Sequence, residues 1–125
     1  VTAPPPPHLP APPVRTMRNE ELADLVRQGG PYRGKAVFEL IDRARDDTEA
    51  ATRLGELSRL PALREDRMFH MVSLAWAAII GLLSAETPHA RGLAYAAFAS
   101  LDASDQADFL AYVKAQRIED AHPHL

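Results

Sequence analysis

The sequence contains no cysteine, which excludes a disulfide scaffold, a thiolate nucleophile and any Cys-ligated zinc or iron–sulfur centre. It has no excess of positive charge. Lys+Arg 14 against Asp+Glu 17 give a formal charge of -3, so no general electrostatic drive toward nucleic acid is expected. No basic segment followed by an apolar run opens the chain, so no secretory signal is visible and a cytoplasmic location is expected. Neither GxGxxG, a Walker loop nor HExxH occurs, and no cofactor or metal is expected. Windows of alternating β-branched residues are also missing, which argues against strands.

What is present divides unevenly. The 125 residues, 13.7 kDa, make one ordinary domain. Seven of the 11 prolines lie before residue 14, so residues 1–15 read as an extended or disordered tail. Pro10, Pro13 and Arg15 form a PxxPxR pattern of the kind that aromatic-lined grooves recognise. Residues 16–117 read as an all-helical domain and residues 118–125 as a frayed end. Of the 14 basic residues 12 are Arg, and alanine is frequent, a bias common in proteins from GC-rich bacterial genomes.

The apolar spacing predicts six helices. The first runs from Asn19, as N-cap, to Gln28, with Gly29-Gly30 as its stop. The second starts at Pro31 and buries Ala36, Val37, Leu40, Ile41 and Ala44. A third follows the capping-box pair Asp46 and Glu49, with Ala50, Ala51, Leu54, Leu57 and Leu60 inward until Pro61. The fourth, Met68 to Leu83, carries no charge and is interrupted only by His70, Ser73 and Gly81. It is too short to cross a bilayer comfortably and reads as a central helix. The fifth begins at Thr87-Pro88 and the sixth near Ser104 or Asp105, burying Phe109, Tyr112 and Val113. Short connections favour antiparallel neighbours.

The stretch Ala90 to Leu101, with Arg91, Ala94, Ala97, Phe98 and Leu101 at their spacing, resembles the second helix of a HEAT repeat. Ala77 to Ser84 with Pro88 resembles the first helix and its turn, and Tyr32 to Leu40 is a partial second match, with Glu39 in place of an alanine. Ala75, Ala78, Ile79 and Leu82 fit the second-helix pattern too, so the phase stays open. The fold expected is all-α: about six short helices as stacked HEAT-like hairpins, or a compact six-helix bundle. The resemblance implies protein or nucleic-acid binding on a concave helical face, with no obligatory catalytic residues.

Between Met68 and Leu101 only Glu86 and Arg91 carry formal charge. A domain of this size can hide one such helix on all sides, while a second leaves apolar surface for another chain to cover. The chain is therefore read as a non-enzymatic interaction module, an adaptor, inhibitor or immunity-type partner. It would bind another protein or a second copy of itself through Trp76, Arg91, Tyr95 and Ala97; nucleic acid and membrane are not expected partners. Ala94 is expected on the core side of its helix and Ala97 on the partner side. The alternative is a small helical enzyme centred on His70, the one titratable group in the fourth helix, or a helical nucleic-acid binder. Asp102, Asp105 and Asp108 read as helix-start carboxylates, and His122 and His124, with His8, as groups on the chain's loose ends.

Overall fold

The computed structural model describes residues 11–67 and 72–124. Local sequence signals set most helix ends. In α1 (Asn19–Gln28) the Glu21 carboxylate accepts from the backbone N–H of Arg18, 2.9 Å, and Gly29 ends the helix at φ 80°. Arg18, rather than Asn19, is thus the N-cap, because Asn19 turns its amide to Asp47 and Arg43. Helix α2 (Arg33–Ala44) starts two residues after Pro31, which occupies the turn before it. In α3 (Thr48–Leu57) the cap is Asp47, whose carboxylate accepts from the N–H groups of Glu49 and Ala50. Thr87 caps α6 (Pro88–Ala99), and Asp102 caps α7 (Ala103–Val113).

Pro61 and the fourth predicted helix also depart from expectation. Pro61 does not merely end the third helix: it stands at N1 of α4 (Pro61–Glu65), a single turn that buries Leu63. The fourth predicted helix starts later than its apolar run. Helix α5 (Leu74–Ser84) begins where the Ser73 hydroxyl accepts from the N–H of Trp76, 3.1 Å. Ser73 is a cap, not a break in an apolar surface, and Val72 before it is outside the helix. Among the described residues there are seven α-helices and no strand; an isolated antiparallel bridge pairs Arg67 with Ser73. No helix among them is long and apolar enough to cross a membrane.

The fold is all-α. Helices α2 and α3 form a hairpin, α5 and α6 form another, and the two stack with α2 beside α5 and α3 beside α6. Helix α1 covers α2 and α3, and α4 packs on α5. At the centre lies α5, whose residues from Leu74 to Leu83 are all buried. Gly81 permits this: a Cβ there would lie 2.7 Å from Ile41 of α2, so glycine sets how closely the two helices approach. Helix α7 is peripheral. It buries Phe109, whose ring meets Trp76 edge-on at 5.4 Å, and leaves Tyr112 47% exposed rather than in the core.

The described residues on either side of the seven helices also pack on the domain. A 3-10 turn, Val14–Thr16, sits before α1, and Val14 packs on the core. Beyond α7 a second 3-10 turn, Ile118–Asp120, buries Ile118, and Ala121 after it is 1% exposed. Residues 118–124 are therefore a packed segment and not a frayed end, because one isoleucine and one alanine suffice to seat them on the domain.

Candidate functional site

Helix α6 has two unlike faces. Ala90, Ala94, Ala97 and Phe98 are buried against α3 and α5, whereas Gly92, Ala96 and Ala99 are exposed. A Cβ at Gly92 would meet nothing within 4 Å. The helix carries one formal charge, Arg91, and that charge is turned away from the exposed face. Its Nε donates to the Tyr95 hydroxyl, 2.9 Å, and its Nη2 to the backbone carbonyl of Glu119, 3.1 Å. The guanidinium lies 5.4 Å from the Tyr95 ring centroid and 3.7 Å from the Glu86 carboxylate, with the Arg91 side chain only 12% exposed.

Glu86 connects α5 to α6 in a left-handed conformation, φ 59°. Its carboxylate also contacts Nδ1 of His122, 3.0 Å. The hydrogen bond from His122 holds the Glu86 carboxyl below its ordinary value, with the charges of His122, Arg91 and His124 acting in the same direction. Glu86 and Arg91, the two charges in the otherwise uncharged stretch, thus come together and close on the C-terminal segment. The sequence signal for the pair was its isolation; His122 had no comparable signal.

The four partner-binding candidates separate. Trp76 is 1% exposed, with Nε1 donating to Asp105, 3.1 Å, so it is a core residue and offers no surface to a partner. Ala97 is fully buried; it lies on the same side of α6 as Ala94, and its expected partner-facing position is corrected to the core. Arg91 and Tyr95 are partly exposed but are engaged with each other and with the chain's own end. The residues missed by the sequence reading are Gly92, Ala96 and Ala99, which the alanine-rich pattern does not distinguish from their inward neighbours.

A second arginine anchors the other end of the chain. Arg43 donates to the carbonyls of Val14 and Arg15, to the Asn19 side-chain oxygen and to Glu39, the last at 2.8 Å. The Asn19 amide, followed by the N–H groups of Ala50 and Glu49, holds the neighbouring Asp47 carboxyl below its usual range against the opposing effect of burial. Arg18, Asn19, Glu20, Arg43, Asp47 and Glu49 line an open polar depression of about 520 Å³, in which Arg43 pairs with Glu39 and the Asn19 amide donates to Asp47. The same anchoring affects the PxxPxR pattern: Pro13 has ψ 69°, away from the about 145° of polyproline II, and Arg15 lies in the 3-10 turn. Pro10 lies outside the described residues, as do His8 and His70, so the site centred on His70 does too. At the start of α7, Asp102 caps the helix and Asp105 holds Trp76, which occupies two of the three clustered carboxylates in structural roles. Compared with protein-family models, with curated proteins and with solved structures, the chain matches none.

Proposed function

We propose that the chain is a non-enzymatic interaction module, of adaptor, inhibitor or immunity type, which presents the outer face of α6 to another protein chain. One observation carries this reading: the only charge of α6 is folded onto the chain's own terminal segment, leaving Gly92, Ala96 and Ala99 exposed without a charged neighbour on that helix. Such a face lets a second helix approach closely at little desolvation cost. The paired stacking of α2 with α5 and α3 with α6 supports a HEAT-like arrangement, in which a helix face serves as the docking surface.

The purified chain tests the self-complementary form of this contact, two copies meeting about a two-fold axis through α6. Because the sequence has no cysteine, Ala96→Cys introduces a unique thiol. A disulfide-linked dimer should form through position 96 under mild oxidation, while Asp24→Cys, exposed on α1, should remain monomeric. Equal crosslinking at both positions, or none at 96, would count against the α6 contact.

A further inference from the structure

Residues 115–124 form a strap whose hold on the domain has an apolar and a polar part. The chain leaves α7 through Lys114 in the left-handed region, φ 59° and ψ 46°, then seats Ile118 and Ala121 in the core cluster. At the polar edge, Arg91 donates to the Glu119 carbonyl, and Nδ1 of His122 lies 3.0 Å from Glu86 Oε1 and 3.5 Å from Arg91 Nη1. One ring nitrogen therefore faces an acceptor and a donor. The imidazolium donates from Nδ1 to Glu86 as an ion pair; the neutral ring loses that charge attraction and keeps the Nδ1 donor in only one of its two tautomers, the lone pair of the other opposing the carboxylate. Glu86 reaches this position from a backbone conformation that favours glycine, so a charged side chain is kept there at a conformational cost.

We propose that the strap is a proton-gated cover over Arg91 and Tyr95, held closed when His122 is protonated and loosened when it is neutral. The groups around the imidazole decide the direction. The charged groups facing it are Glu86 from the α5–α6 turn, at 3.0 Å, Asp120 from the 3-10 turn, and Arg91 from α6, at 3.5 Å, with His124 following in the strap. The nearest contact is Glu86, so protonation strengthens closure. Tyr95 takes part through Arg91, by its hydroxyl bond and by the guanidinium over its ring. Opening would free the Arg91 guanidinium and the Tyr95 ring for solvent or a ligand. The device does not depend on what the outer face of α6 binds.

Methyl NMR of the isoleucines in the full chain provides the test, since Ile118 reports the strap and Ile79 the central helix. Imidazole charge changes between about pH 5 and 8, and an exposed ion pair of this kind corresponds to about a two- to five-fold change in the open population. The open fraction at Ile118 should rise by that factor from the acidic to the basic end, with Ile79 unchanged. His122→Gln should show the basic-end population throughout. The proposal is overturned by a pH-invariant Ile118, by a change shared with Ile79, or by a pH response that survives in His122→Gln.

Discussion

Helices α5 and α6 look alike in sequence, both nearly free of charge, yet the fold uses them in opposite ways. Every residue of α5 from Leu74 to Leu83 is buried, while α6 buries one face and exposes Gly92, Ala96 and Ala99. The two glycines show the difference at its clearest. At Gly81 a Cβ would collide with Ile41, and at Gly92 it would project into open space. Lack of charge thus means internal packing in one helix and an uncommitted surface in the other. The difference comes from neighbours: α5 is enclosed by α2, α3, α4 and α6, with Trp76 also against Phe109 of α7, whereas α6 packs on α3 and α5 along one face and touches α7 through Phe98 and the strap through Arg91.

The largest effect should come from breaking the inner face of α6. Ala97→Glu would place a carboxylate at a fully buried position and should unfold the domain, visible as lost helical circular dichroism at ambient temperature. In α5, Trp76→Ala should cost about 3 to 5 kcal/mol in chemical denaturation, since it removes both the contact with Phe109 and the bond to Asp105. A loss below about 1 kcal/mol would mean that α5 is less enclosed than the structure shows. The glycine pair sharpens the contrast further. Gly81→Ala should destabilise by about 1 to 3 kcal/mol through overpacking, and Gly92→Ala should stabilise by about 0.5 to 1 kcal/mol through helix propensity. Shifts of the same sign at both positions would remove the distinction between the helices.

Much of this arrangement was legible beforehand, for reasons that differ by residue. The α2 stripe of Ala36, Val37, Leu40, Ile41 and Ala44 is buried as its period requires, because charged residues mark the opposite face. In α6 no such contrast exists. Ala96 and Ala97 are chemically identical, so only packing on α3 and α5 tells the exposed one from the buried one. Arg91 was singled out as a surface contact, but a guanidinium with five donors can equally bind the chain's own carbonyls, as Arg43 does at the other end. The terminal strap was missed because two small contacts, Ile118 and Ala121, leave no periodic trace.

The central claim, that the outer face of α6 is free of the fold and available for docking, is tested most directly by sedimentation equilibrium and thermal melting of Ala96→Glu beside the wild type. In the self-complementary form of the contact the account predicts a concentration-dependent dimer for the wild type. It predicts a monomer for Ala96→Glu, with stability within about 0.5 kcal/mol of the parent. An Ala96→Glu chain that melts far below its parent would contradict the free face, and a wild type that stays monomeric at every concentration, or an Ala96→Glu chain that still dimerises, would contradict the self-complementary contact.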